Sequence, residues 1–216
     1  MEDDAFFGPS WIDKQVDFEQ PQPSTWKIVE KQREEVHLLT SNDLKRRGGP
    51  KISYVRASFL CQSLQSGMRS FLRVYMQIPH AGTKMEPARV RGSQAGKRDH
   101  DEVIAYQRFS QKRAQYMPKY LGHKLEFQPQ DSMLVPGGYV EYILWEKLPG
   151  VHLRCQEFWG LTATERDDIF DPFNPAYKQV AEPPTSIPSS LPRLVQRAVS
   201  TRCQTFVLRT EAHALG

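Results

Sequence analysis

Cysteine is scarce: Cys61, Cys155 and Cys203 are the only three in 216 residues, odd in number and widely spaced. No C-x-x-C pair exists, which removes the spacing of zinc sites and thioredoxin-like motifs and leaves reduced thiols of an intracellular protein as the expectation. No apolar run approaches the roughly 20 residues that a membrane-spanning helix needs, so no membrane association is expected. The opening MEDDAFFGPS lacks the basic and apolar regions of a secretory signal, and a cytoplasmic or nuclear location follows as the expectation. The six histidines are scattered without metal-ligand spacing, and neither a G-x-S-x-G elbow nor a Walker or G-x-G-x-x-G spacing occurs. Hydrophobic residues make up 39%, with 16 prolines and 25% charged residues, so a core is expected over part of the length only. The formal charge is +4, from 29 Lys and Arg against 25 Asp and Glu, a balance that permits an anionic ligand without demanding one. No nucleic-acid module pattern appears, so nucleic acid is not expected as a partner.

What is present is organised around Val135–Val151, VPGGYVEYILWEKLPGV. Pro136-Gly137-Gly138 is a turn signal, Tyr139–Trp145 is rich in aromatic and β-branched residues as a buried strand is, and Leu148-Pro149-Gly150 turns the chain again. Ahead of it, residues 1–25 read as a flexible leader with Pro9, Pro21 and Pro23. Trp26–Leu39 places Ile28, Val29, Val36, Leu38 and Leu39 around a charged centre and fits either a short helix or two strand pieces. Lys45–Lys51 reads as a solvated basic turn.

Ile52–Cys61 and Phe71–Ile78 are predicted strands. The second puts Leu72, Val74, Met76 and Ile78 on one face and Phe71, Arg73, Tyr75 and Gln77 on the other, to line a cleft or meet water. Ala81–His100, with Lys84, Arg89, Arg91, Lys97 and Arg98, reads as an exposed flexible loop rather than a dedicated anion site. Asp99–Arg113 has a helical pattern, acids first and Lys112 and Arg113 last. Glu102, Ala105, Tyr106 and Phe109 share its apolar stripe, so Glu102 invites a cationic partner or stays at the surface. Lys119–Phe127 is a predicted strand with a bulge or turn at Gly122. Thr162-x-x-Glu165 is a capping box, Ala181–Pro192 a Pro/Ser linker, and Leu191–Leu208 a short basic helix followed by an extended piece.

Taken together, Phe71–Pro79, the helix DEVIAYQRF, the phrase PKYLG, the block VPGGYVEYILWEKLPGVHL and the later FWGLTATERDDI resemble the small lobe and early large lobe of fungal protein-kinase-like proteins. The resemblance covers roughly residues 52–180. It implies an α+β fold: an antiparallel kinase-like small-lobe sheet with one packed helix over 26–150, hinge included. A short incomplete helical part would follow over 151–180, and 181–216 would be linker and tail, both termini being loose. By position, Phe71–Ile78 is similar to the third small-lobe strand, Asp101–Arg113 to the regulatory helix, and Glu146–Gly150 to the hinge.

The resemblance implies ATP as the one candidate cofactor, held weakly or not at all by Arg73, Glu102, Glu146, Lys147 and Leu148. The strand has no lysine, so Arg73 would stand in for the phosphate-binding Lys, a poor exchange in that geometry. No catalytic-loop Asp with its Asn and no Asp-Phe-Gly follow, and the last Asp and Asn are Asp171 and Asn174. Catalytic and metal-binding residues are therefore expected to be absent, and the chain reads as a degenerate or truncated kinase-like protein, a pseudokinase without autonomous phosphotransfer. The alternative is a non-enzymatic module that binds a protein partner or itself through apolar surface bared by the missing lobe, around Leu144, Trp145, Phe158 and Trp159.

Overall fold

The computed structural model describes residues 5–46, 48, 51–111, 118–148 and 155–171. They fall into two compact units, one within Met1–Asp99 and Lys119–Lys147, the other within His100–Pro118 and Leu148–Gly216. The linker and tail expected over 181–216 lie outside the described residues.

The first unit is a six-stranded antiparallel sheet. Its strands are β1 (Gln15–Phe18), β2 (Ser24–His37), β3 (Tyr54–Ser63), β4 (Arg69–Gln77), β5 (Tyr120–Phe127) and β6 (Tyr139–Glu146), in the spatial order β1-β2-β3-β4-β6-β5. Alternation writes the inner face. Val16, Phe18, Trp26, Ile28, Val55, Ala57, Phe59, Leu72, Val74, Ile78, Tyr142 and Leu144 are all nearly or wholly buried in one cluster. Each such large apolar side chain contributes about 1.5–3 kcal/mol relative to exposure. Register shifts at Ile28/Glu30 and Lys31/Arg33 in β2, and at Tyr120/Gly122 in β5, add the local twist that coils a sheet on itself. The sheet turns through 274° round an axis and is a nearly closed barrel. Phe18 of β1 lies against Gly122 of β5 where the two ends of the sheet meet.

This architecture overturns the kinase resemblance and the fold class it implied. A kinase small lobe is an open, twisted sheet with a helix packed on it, whereas here the sheet curls into a near-barrel. The helix expected to pack on the sheet, α3 (Asp101–Gln111), belongs to the second unit. Shorter helices Ser41–Lys45 (α1) and Ala88–Gly92 (α2) sit in loops of the first unit. The loose leader is corrected too: Phe7, Val16 and Phe18 are core residues, and Phe7 packs edge-on to Trp11 and Phe59 at 4.7 and 5.7 Å. Four residues of alternating burial in β1 are too few to stand out among the prolines, yet they supply the edge on which the barrel closes.

The second unit carries α3, α4 (Cys155–Gly160) and a helix over 163–171. The capping box stands as expected: the Thr162 N–H donates to Glu165 Oε2 at 2.8 Å and the Glu165 N–H to Thr162 Oγ1 at 3.3 Å. Among the described side chains of α3, Val103 is buried and Glu102, Ala105 and Tyr106 are half-buried, while Phe109 lies outside them. Among the described residues no helix is long and apolar enough to cross a membrane.

Candidate functional site

Side chains fill the inside of the barrel, so the functional surface must be sought on its outer face. Three cross-strand rows run over that face. In one, His37 of β2 stacks on Tyr54 of β3 at 4.5 Å and Tyr54 leans on Tyr75 of β4 at 6.0 Å. In the next, Glu35 accepts from Arg56 Nε at 3.0 Å, Arg56 pairs with Tyr75, and Tyr75 pairs with Glu141 of β6. Glu141 Oε1 lies 2.8 Å from His123 Nε2 of β5. In the third, Arg73 Nε donates to Ser58 Oγ at 3.1 Å and its guanidinium lies 5.3 Å from the Trp145 ring.

Three glutamines fasten the loops at one end of this face. Gln77, fully buried at the end of β4, donates its Nε2 to the Gln94 carbonyl at 2.6 Å and accepts from the Gly96 N–H at 3.2 Å. Gln94 Oε1 accepts from the His80 N–H at 2.9 Å, and its Nε2 donates to Thr83 Oγ1 at 3.0 Å. Gln128 Nε2 donates to the Gln77 carbonyl at 2.7 Å, and its Oε1 accepts from Ser132 Oγ and the Val135 N–H at 2.8 and 3.1 Å. Gly137 takes the positive φ, 73°, that the turn into β6 requires. Two loops of opposite origin are thereby held over the sheet by carboxamides.

Between the loop and the sheet lies a cleft of about 250 Å³, lined by Ala95, Gly96, Lys97, Arg98, Leu125, Phe127, Gly137, Tyr139 and Glu141. The Arg98 guanidinium stands 4.7 Å from the Tyr54 ring, within cation–π range. Leu125 and Phe127 project from the outer face of β5 and are 41% and 67% exposed, large apolar side chains left at the mouth. Burial holds the Tyr139 hydroxyl well above the ordinary phenol range, so it stays a neutral donor at the floor. Chemically the cleft offers two cations, a carboxylate and an apolar wall. Among the described residues no group of three or more His, Cys, Asp and Glu is placed to hold a metal ion.

The residues expected to bind nucleotide do not line this cleft. Arg73 is engaged by Ser58 and Trp145 on the sheet. Glu146 ends β6, where its N–H donates to the Lys119 carbonyl at 2.9 Å and its Oε2 accepts from the Lys119 N–H at 3.3 Å. The Glu146 N–H is thus used in pairing with Lys119. Lys147 Nζ lies 6.0 Å from the Phe71 ring, and Glu102 and Leu148 belong to the second unit. The kinase-derived function and the pseudokinase reading are therefore corrected: the barrel topology removes their basis. Their alternative also changes, because Leu144 and Trp145 are buried, and of the four residues expected at a bared surface Trp159 alone is largely exposed.

Leu125 and Phe127 were legible as one face of a strand, but nothing in the sequence marked Lys97 and Arg98 out from the other loop cations. The sequence matches no known protein family. No curated protein matches it either.

Proposed function

We propose that the barrel is a non-enzymatic protein-binding module, working in the cytoplasm or nucleus, whose contact surface is the outer-face cleft beside β5. The observation that carries this reading is the exposure of Leu125 and Phe127 at the mouth of a 250 Å³ cleft held open by a hydrogen-bonded loop. Large apolar side chains adjacent on a surface mark sites of association, and a cleft of this size is at the low end for a cofactor but fits one side chain of a partner. The surface differs from the one a missing kinase lobe would bare.

The test is selection from a displayed peptide library on the full-length protein, with counter-selection on a Leu125→Ser, Phe127→Ser variant. Both side chains are exposed, so the variant keeps the core. Peptides enriched on the wild type and not on the variant support the reading; equal enrichment on both, or none, overturns it.

A further inference from the structure

We propose that the cleft receives an acidic segment of a partner protein in which a carboxylate stands next to an aromatic residue, with Arg98 as the carboxylate's anchor. This rests on the reading of the cleft as a protein-binding site and adds the chemistry of the occupant. Arg98 is half-buried, lines the cleft, and among the described residues has the Tyr54 ring as its contact and no carboxylate as a partner. A guanidinium beside a ring keeps N–H donors to give, and its planar fork meets a carboxylate two donors at a time. Lys97, at the rim, pairs with the exposed Asp99 at 3.4 Å in a contact open to water, which an incoming anion can exchange at little cost.

Glu141 also lines the cleft, one carboxylate against two cations, with its Oε1 2.8 Å from His123 Nε2, so the cleft presents a net positive charge to a guest. The apolar part of the guest has its own counterpart in Leu125 and Phe127. Because Gln77 fixes the loop at residues 94 and 96, immediately before the two cations, the charges are ordered before a ligand arrives. A nucleic acid or an anionic membrane is the weaker match. Both require a continuous basic field, and this face carries the carboxylates Glu35, beside Arg56, and Glu141.

The experiment is fluorescence anisotropy on the full-length protein with a labelled peptide of alternating glutamate and phenylalanine, against the same peptide carrying glutamine for glutamate. The expected result is about tenfold tighter binding of the acidic peptide, as one charge-assisted bidentate contact supplies. That preference should shrink between about 50 and 300 mM salt. Arg98→Met should abolish it and Arg98→Lys retain part of it, with thermal unfolding checked for each. If Arg98→Met fails to fold, Lys97→Met and the wild-type salt titration carry the test. Equal binding of both peptides, indifference to Arg98→Met, or displacement by a single-stranded oligonucleotide at lower concentration overturns the proposal. So does absence of binding. If the displayed library still returns cleft-dependent peptides without acids, the binding module stands and the acidic occupant falls; if it returns none, both fall.

Discussion

The Phe18 side chain lies so close to Gly122 that a β-carbon at position 122 would stand 2.6 Å from Phe18 Cδ1 and 2.8 Å from Cγ. Real carbon atoms do not approach to that distance, so closure of the barrel at this point depends on the missing side chain. On the inner face of β5 the neighbouring positions Lys124 and Glu126 are polar, and Lys124 Nζ meets Glu126 Oε1 at 2.7 Å. The apolar seal is therefore the Phe18–Gly122 contact. Gly122→Ala is expected to destabilise by about 1–3 kcal/mol, the range for overpacking a filled core. A paired Phe18→Leu, Gly122→Ala variant should recover part of that loss, read as urea midpoints. No loss in the single variant would show that the seam is loose.

A second prediction concerns Gln77, whose two carboxamide contacts are both to loop backbone, at Gln94 and Gly96. Gln77→Leu keeps the size but leaves the half-buried Gln94 carbonyl and the Gly96 N–H without that partner, at up to about 1 kcal/mol for each lost hydrogen bond. Amide exchange at residues 94–98 should rise before global unfolding, because the loop is released first. Exchange there that stays tied to global unfolding would mean the loop is held by something other than Gln77.

The strands were legible because period-2 patterning is local. Leu72, Val74, Met76 and Ile78 share a face by spacing alone, and the structure buries all four. Gly122 was legible as a bulge for a similar reason. Barrel closure was not. It depends on β1, too short to emerge from a proline-rich stretch, and on β2, whose two register shifts break the alternation and leave helix and strand indistinguishable by pattern. Without those two strands the remaining order of strand, helix, strand, strand suits a kinase lobe, and many other folds share it. The cleft was harder still. Arg98 is singled out by the loop path that Gln77, Gln94 and Gln128 set, and carboxamide bonds to backbone leave no periodic trace.

Cys61 allows a third test. It is fully buried in β3, and burial pushes its thiol up to about 12. Alkylation needs both access and thiolate, so at pH near 8 the native protein should be modified at this position on the order of a thousandfold more slowly than an exposed thiol. Peptide-resolved mass spectrometry reads position 61 alone. The rate should rise with urea in step with global unfolding, and rapid labelling in buffer would contradict a packed interior.

The last prediction is a pH dependence at His80. Ser53 Oγ accepts the Leu39 N–H at 2.9 Å and stands 2.9 Å from His80 Nδ1, both side chains being buried. The Ser53 hydroxyl has a proton to give to an unprotonated Nδ1, a bond that only the neutral imidazole can accept. Burial lowers the His80 pKa from its ordinary 6.5 in the same direction. The unfolded chain therefore binds a proton at a pH where the folded chain refuses it. The stabilisation is complete above the ordinary value and is lost as pH falls through the lowered one. Stability should accordingly rise with pH on the approach to the ordinary value of 6.5, a window above the pKa values of ordinary carboxylates. His80→Asn keeps an acceptor near the Nδ1 position and removes the titration. Its urea midpoint should vary less across that window than the wild type's. An equal slope in both proteins would assign the dependence to another group and leave Ser53–His80 a structural contact indifferent to pH.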